Sequence, residues 1–202
     1  MYETAVLATV ALMLISAVDY VRRALIRETD PVPATWVLMV VMMTLACWTY
    51  CQSPTKSWTA NIAVITGTFS TLFILGWVLY LNVARGSLHV AFDRVQRWCL
   101  LGGAGVVAFW FITRNALISY TLVQGIGLIA YIATARRLWN AKKSTEPLFF
   151  WVCVLLANLC AIYPAWAKSD TFSWIYLART IPTTSGMIFL IARIKGRMAT
   201  TE

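Results

Sequence analysis

Charged residues are scarce in this chain of 202 residues: Asp, Glu, Lys and Arg make up 12% of it, whereas a soluble domain carries about 25%. Acidic residues are the rarest, with 8 Asp and Glu against 17 Lys and Arg. Hydrophobic residues reach 60%, and the mean hydropathy is +0.71. Because a chain this apolar has too little polar surface to cover a core in water, the composition excludes an ordinary soluble domain and predicts an integral membrane protein.

Residues that do chemistry in enzymes and metal sites are also few. The one histidine, His89, has no Cys or carboxylate at metal-ligand spacing, and the five cysteines form no Cys-x-x-Cys pair. No Ser/His/Asp set and no paired carboxylates are recognisable. We therefore expect no catalytic site, no metal and no cofactor, and a protein that is not an enzyme.

Long apolar runs occupy most of the chain. We place seven of them at about 4–24, 33–51, 58–81, 95–113, 116–135, 147–166 and 171–192. Each is close to the roughly 20 residues with which a helix crosses about 30 Å of hydrocarbon, and lipid leaves the backbone no other partner. The first run follows an acidic residue and lacks a small-residue cleavage site, so we expect a retained span rather than a signal peptide.

The basic residues predict an orientation in the membrane. With the N-terminus outside, 13 Lys and Arg fall on inner segments and only Lys56, Arg114 and Lys168 fall on outer loops. This bias is typical of the positive-inside rule, so we expect a bacterial inner (plasma) membrane protein with its C-terminus in the cytoplasm. The net charge of +9 is then a cytoplasmic-face signal that can contact anionic lipids, and it predicts no nucleic-acid partner.

Arg179 is the most informative single residue. It lies about 12 Å into its span, where an arginine costs at least about 2.5 kcal/mol, so it should face the bundle and have a partner. No carboxylate lies at that depth in any span. Three interpretations stay open: contact with an aromatic ring, snorkelling outward, or contact with an anionic or strongly polar solute. The candidate rings are those of Tyr120, Trp174 and Tyr176.

Other polar residues fall inside spans. Gln124 lies about 12 Å deep and Asn158 near mid-depth, where an amide needs a partner or a ligand. Pro182 permits a kink of the kind that lines transport sites. Asp19 lies near the inner interface, three and four residues before Arg22 and Arg23, which favours a local ion pair over a proton-coupling carboxylate.

The beginning of the chain is repeated near its end. Matching residues are separated by 114 for Arg22-Arg23 and Arg136-Arg137 and for Pro33 and Pro147, by 115 for Trp36 and Trp151, by 113 for Cys47 and Cys160 and for Tyr50 and Tyr163, and by 116 for Ser57-Trp58 and Ser173-Trp174 and for Thr68 and Thr184. Spans one to three thus resemble spans five to seven. After three crossings the chain is on the opposite side of the membrane, and a fourth span returns it to the side on which it began. Span four has this role, and its Gly102-Gly103-Ala104-Gly105 segment predicts a closely packed spacer helix.

The repeat predicts an all-α integral membrane fold of seven transmembrane helices. Two parallel three-helix repeats, 1–84 and 115–202, are joined by a linker helix within 85–114. Parallel repeats of this kind are typical of transporters that bind their substrate near the bilayer midplane, between the two halves.

This plan resembles the superfamily of SWEET sugar transporters, PQ-loop proteins and PnuC-type vitamin transporters. The resemblance covers nearly the whole chain by architecture. Locally it depends on a basic-Ser/Thr-Pro segment at each first-to-second helix turn, on Cys-x-x-Tyr before each third helix, and on Leu45-Ala46-Cys47-Trp48-Thr49-Tyr50, which is similar to a Leu-Trp-x-x-Tyr segment of SWEET proteins. Neither half has the Pro-Gln dipeptide, and Thr66 stands where SWEET proteins usually carry Asn.

The resemblance implies a solute held between the two triplets by Trp, Asn or other polar side chains. By position, Thr66, Thr68, Thr183 and Thr184 would face that solute. Together with the polar residues within spans, the candidate substrate-binding set is Trp48, Thr66, Thr68, Gln124, Asn158, Tyr163, Arg179 and Thr183.

The sequence thus predicts a facilitative, alternating-access transporter for a small polar solute such as a vitamin, nucleoside or sugar. Its partners would be that solute and membrane lipids, and the architecture is compatible with a homo-oligomer. The alternative is a non-transporting seven-helix membrane protein, such as a lipid-biosynthesis accessory or a receptor-like protein. The segment from Pro147 to Asp170 loosely resembles PQ-loop-like domains tied to lipid A synthesis.

Overall fold

The computed structural model describes residues 1–29, 31–86, 90–141 and 146–199. These ranges contain seven α-helices and no β-strand: α1 (Tyr2–Leu25), α2 (Pro33–Cys51), α3 (Ile62–Ala84), α4 (Arg94–Thr113), α5 (Ala116–Asn140), α6 (Leu148–Ala167) and α7 (Thr171–Ala199). All seven are long and apolar enough to cross a membrane. The predicted all-α class and the seven spans are confirmed, and they indicate an integral membrane protein.

The helix boundaries agree with the apolar runs except in α3, α5 and α7. α5 continues to Asn140 instead of ending near residue 135. α3 begins at Ile62 instead of near residue 58 because Ser57 to Asn61 form turns, and the Tyr50 hydroxyl bonds both the N–H and the carbonyl of Ser57 there. α7 continues to Ala199 instead of ending near residue 192. Its last turns carry basic residues, and a helix need not stop where the hydrocarbon ends.

Helix packing follows a regular order. In the first three helices, α3 packs against both α1 and α2, and in the last three, α7 packs against both α5 and α6. The two groups meet through α1 against α6 and α2 against α5. α4 packs on the outside, against α5 and α2.

Glycines of α4 permit its close packing, as the sequence predicts. A Cβ on Gly103 would lie 3.0 Å from Cε of Met42 and 3.2 Å from Cδ1 of Leu45, both in α2. A Cβ on Gly102 would lie 3.2 Å from Cδ1 of Ile126 in α5. These contacts leave no space for larger side chains where α4 crosses its two neighbours.

One end of the bundle collects most of the described basic side chains, and we call it the basic end. It consists of the last turns of α1, α3, α5 and α7 and the first turns of α2, α4 and α6. Arg85 after α3 donates to the Ala24 carbonyl in α1 at 2.9 Å, and Cζ of Arg193 in α7 lies 3.8 Å from the ring centroid of Trp139 in α5. Lys142 and Lys143, two of the predicted inner charges, lie outside the described residues.

Asp19 forms a local ion pair at the basic end, as predicted. Its Oδ2 lies 2.7 Å from Nε of Arg23, and Nη1 of Arg23 lies 2.8 Å from Oε2 of Glu28. The carboxylate is therefore already paired on its own helix.

Candidate binding cavity

A cavity of about 160 Å³ lies inside the bundle. Side chains from both groups of three helices line it, together with residues from the start of α4. Its polar lining consists of Ser16, Thr35, Ser70, Thr71, Asp93, Gln96, Gln124, Tyr131, Thr134, Glu146, Tyr176, Arg179 and Thr180. The middle of the bundle is therefore not solidly apolar.

The cavity reaches the basic end of the bundle. Thr35 at the start of α2 and Asp93 and Gln96 at the start of α4 belong to its lining, and Asp93 is exposed. Asp93 caps α4: its Oδ1 accepts from the Gln96 N–H at 2.7 Å, and Oε1 of Gln96 accepts from the Asp93 N–H at 3.0 Å. The lining of the cavity thus extends to the first turns of α2 and α4, where Nε2 of Gln96 donates to Oγ1 of Thr35 at 3.3 Å.

The opposite end of the bundle is closed by aromatic packing. We call Tyr50, Tyr120 and Phe172 the aromatic plug. The Phe172 ring lies edge-on to the other two rings, with centroids 5.4 Å from Tyr50 and 5.1 Å from Tyr120. All three side chains are buried, and none of them lines the cavity.

Polar contacts hold the helix starts together around the aromatic plug. Nδ2 of Asn61 donates to the Tyr120 hydroxyl at 3.4 Å. The Ser173 hydroxyl lies within hydrogen-bond distance of both the Asp170 carboxylate and, at 3.0 Å, the Ala60 carbonyl. The start of α7 is thereby tied to the turn before α3. In this conformation the cavity is open towards the basic end and shut at the other.

Arg179 of α7 is part of the cavity wall. Its Cζ is over the rings of Tyr131 in α5, at 5.5 Å, and Tyr176 in α7, at 5.4 Å. Its Nε is buried and has no hydrogen-bond partner among the described residues. Of the rings named from sequence, only Tyr176 contacts Arg179 in this way; Trp174 is 41% exposed, and Tyr120 belongs to the aromatic plug.

Gly127 in α5 provides the space that the guanidinium occupies. A Cβ at position 127 would lie 2.9 Å from Nη1 and 3.4 Å from Cζ of Arg179. Gln124, about one turn earlier in α5, also lines the cavity and is 5% exposed. Within the Gln124-Gly125-Ile126-Gly127 segment, Gln124 thus contributes a side-chain amide to the cavity wall and Gly127 contributes backbone that no side chain covers.

Further polar atoms of the cavity wall lack protein partners. Oγ1 of Thr180, next to Arg179, and Nε1 of Trp151 are buried and make no hydrogen bond among the described residues. The Ser16 hydroxyl, in contrast, donates to the Met13 carbonyl at 2.7 Å. The unused groups leave the cavity with hydrogen-bonding capacity for something that is not protein.

Of the eight candidates from sequence, the cavity brings together Gln124 and Arg179. The Trp48 ring lies edge-on to that of Trp110 in α4, with centroids 4.6 Å apart, and Tyr163 is 36% exposed beside Trp166. Both lie outside the cavity lining.

The remaining four candidates are also outside the lining of this cavity. Thr66 and Thr68 are buried, and Oγ1 of Thr68 donates to carbonyls of its own helix and of α2. Asn158 is fully buried, and its Nδ2 donates to the Val154 carbonyl at 2.7 Å. Oγ1 of Thr183 donates to the Arg179 carbonyl at 2.9 Å. Thr184, the further position named by the resemblance, is fully buried and outside the lining as well.

Trp36 and Trp151, which were not among the candidates from sequence, both line the cavity. They are 6% and 8% exposed. Nε1 of Trp36 donates to the Tyr20 hydroxyl at 3.1 Å. The repeat carried the signal that could have found them, because they occupy matching positions in the two halves.

A second recess lies on the outside of the bundle between α5 and α7. This lateral groove has a volume of about 410 Å³, and its lining is Tyr131, Ile132, Ala135, Arg136, Trp139, Thr183, Gly186, Met187, Phe189 and Leu190. It is almost entirely apolar, as expected of a surface that faces acyl chains.

Comparison with models of protein families, with curated proteins and with solved structures finds no match to this chain. Within the described ranges, no group of three or more His, Cys, Asp and Glu side chains could hold a metal ion. His89 lies outside these ranges. What the described residues offer chemically is a mostly apolar cavity with one arginine and several unused hydrogen-bonding groups in its wall.

Proposed function

We propose that this protein is a facilitative carrier for a small polar solute such as a vitamin, nucleoside or sugar. It works by alternating access between two parallel three-helix repeats, 1–84 and 115–202, with the helix of 85–114 as linker. Its plan is that of the SWEET, PQ-loop and PnuC-like transporters. The observation that carries the proposal is the cavity between the two groups of helices, which has several polar side chains in a mostly apolar wall and reaches the basic end.

The packing order supports the two-repeat plan. Suppose that α1, α2 and α3 correspond to α5, α6 and α7. The contacts of α3 with α1 and α2 are then equivalent to the contacts of α7 with α5 and α6, and the contact of α1 with α6 is equivalent to that of α5 with α2. Each of these pairs is in contact. The main contacts thus map onto one another when the two halves are exchanged, which supports a pseudo-twofold axis along the membrane normal; the smaller contact of α3 with α6 has no counterpart of similar size between α7 and α2.

The closed end supports alternating access. The aromatic plug joins α2 and α5 to α7, so separation of the two halves at that end would break it. Its centre is made of ring contacts, which are individually weak and can form again. With the basic end in the cytoplasm and the N-terminus outside, the conformation described is the inward-facing one.

Sided labelling of a cavity residue tests the carrier function without a known solute. Thr71 in α3 lines the cavity, whereas the next residue, Leu72, is 45% exposed on the outside of the bundle. In a chain whose five cysteines are replaced, Thr71→Cys should react with a membrane-impermeant thiol reagent from the basic side and, as the carrier cycles, from the other side. Leu72→Cys, which would face lipid, is the matched control and should react from neither.

Labelling of Thr71→Cys from one side only, under all conditions, would contradict a carrier and favour a receptor-like protein. A thermal-shift screen with vitamins, nucleosides and sugars then identifies the solute class, because a ligand that binds the folded state stabilises it by mass action. Uptake of the best solute into proteoliposomes completes the test.

The lateral groove favours a second candidate function, that of a lipid-biosynthesis accessory. Its apolar walls and its position between α5 and α7 suit an acyl chain. A lipid that copurifies in this groove, together with one-sided labelling of Thr71→Cys, would support this alternative over the carrier.

A further inference from the structure

Arg179 has no acidic partner in the described part of the chain. Both ion pairs found there belong to Arg23. Asp93 caps α4 and Asp170 lies within hydrogen-bond distance of Ser173, so these carboxylates are held at the two ends of the bundle. Glu146 belongs to the cavity lining near the basic end, just before α6.

The two tyrosine rings replace only part of what the guanidinium loses when it leaves water. Tyr131 and Tyr176 present ring faces at 5.5 and 5.4 Å, which favours the positive charge. A guanidinium also has five N–H donors, and ring faces are poor acceptors for them. Nε of Arg179 has no acceptor among the described residues, so the contents of the cavity are the source to which we assign one.

We infer that Arg179 binds the carboxylate of the transported solute, which is a small monocarboxylic acid with an apolar or aromatic body. This inference rests on the proposed carrier function of the cavity. A carboxylate matches the planar guanidinium with two parallel hydrogen bonds and neutralises its charge. The hydroxyl of Thr180, the next residue in α7, also lines the cavity and has no hydrogen-bond partner among the described residues.

The charge of Arg179 favours a ligand with one negative charge. Among the described residues of the lining, Arg179 is the only basic one. A dianion such as a phosphate ester would carry more negative charge than one guanidinium neutralises.

The rest of the wall fits an apolar or aromatic body. Apolar groups form the larger part of it, among them the rings of Trp36, Tyr131, Phe150 and Trp151 and four methionines. The cavity is smaller than the roughly 300–1,000 Å³ of sites for drug-sized ligands. A small acid, held by its carboxylate at Arg179 and by its body among the rings, uses both parts of the site.

Matched acids and amides test the inference. Benzoate and benzamide, and propionate and propionamide, have nearly the same shape and differ in charge. Binding to the purified full-length protein is measured by calorimetry and by the shift of the unfolding temperature. We expect the acid of at least one pair to bind about tenfold more tightly than its amide or better, since charge-assisted bonds are about twice as strong as neutral ones.

Three variants test whether the preference for acids over amides depends on Arg179. Arg179→Gln should abolish it, whereas Arg193→Gln should retain it, because Arg193 is on the same helix and over a ring but outside the cavity. Gly127→Ala keeps the arginine and displaces its guanidinium, so it should weaken acid binding even if Arg179→Gln does not fold. The inference is overturned if no acid binds more tightly than its amide, or if the preference persists in Arg179→Gln.

The outcome for the carrier is separate. If Thr71→Cys is labelled from both sides but acids bind no more tightly than amides, the carrier function is supported and the monocarboxylate substrate is rejected. If acids bind more tightly but labelling occurs from one side only, the anion site is supported and transport is rejected.

Discussion

The guanidinium of Arg179 in α7 lies against the bare backbone of Gly127 in α5. A methyl group at position 127 would come within 2.9 Å of Nη1. This contact joins α5 and α7, and it limits where the guanidinium can lie along the cavity wall. The glycine is thus part of the site although it has no side chain.

Gly127→Ala should separate binding from stability. Because alanine favours a helix by up to about 1 kcal/mol over glycine and the arginine tip can move aside, the unfolding temperature should stay level or rise. Solute affinity should fall about tenfold as the guanidinium is displaced. Gly125→Ala is the control, since a Cβ there meets nothing within 4 Å. Equal affinity in the two variants would argue against a role for the Gly127 contact.

Arg179→Ala should abolish uptake and leave the protein folded. Removal of a deep arginine relieves at least about 2.5 kcal/mol of burial cost, while the lost ring contacts were worth about 0.5–2 kcal/mol. The net change in stability should therefore be small or favourable. Uptake into proteoliposomes and thermal unfolding measure the two effects, with Arg193→Ala as the control. Unaltered uptake would show that Arg179 is not part of the solute-binding site.

Tyr50→Phe should weaken the packing of the closed end but keep the aromatic ring in place. The ring remains against Phe172, but the hydroxyl that bonds the backbone N–H and carbonyl of Ser57 is lost, at a cost of about 1–3 kcal/mol. We expect faster labelling of Thr71→Cys from the side opposite the basic end. Tyr163→Phe alters the matching position of the second half, where the side chain is 36% exposed, and should change nothing. The same labelling rate in both variants would exclude this end as the gate.

Asp19→Asn should affect neither uptake nor its response to a proton gradient. The carboxylate is already paired with Arg23 at 2.7 Å near the basic end, and it does not line the cavity. The loss in stability should be below about 1 kcal/mol, as for other partly exposed ion pairs. Uptake measured with and without an inward proton gradient checks the prediction. Loss of gradient-driven uptake would make Asp19 a coupling residue instead.

The helices could be predicted from sequence because lipid imposes one length and one hydrogen-bonding solution on every span. α2 runs from Pro33 to Cys51 as predicted, since a proline at its first position fixes where it begins. α3 could not be placed as well. Trp58 extends its apolar run backwards, but the contact of Tyr50 with Ser57 holds that stretch in turns.

The cavity was predictable only in part. Gln124 and Arg179 are recognisable because polar groups deep in lipid require partners. Which threonine of α3 faces inward is a question of helix rotation, and a helix that is apolar on all sides gives no periodicity to fix it. Thr71 lines the cavity and Thr68, one turn earlier, does not. Trp36 and Trp151 were hidden for another reason, since interfacial anchors give the same pattern of tryptophans near span ends.

The accessibility of position 71 from the side opposite the basic end is the most direct test of the account. With Thr71→Cys in the cysteine-free chain, a carrier predicts labelling by an impermeant thiol reagent from both faces of the membrane, at a rate that Tyr50→Phe increases. Reaction from the basic side alone, in both backgrounds, would contradict a cavity that changes the face to which it opens.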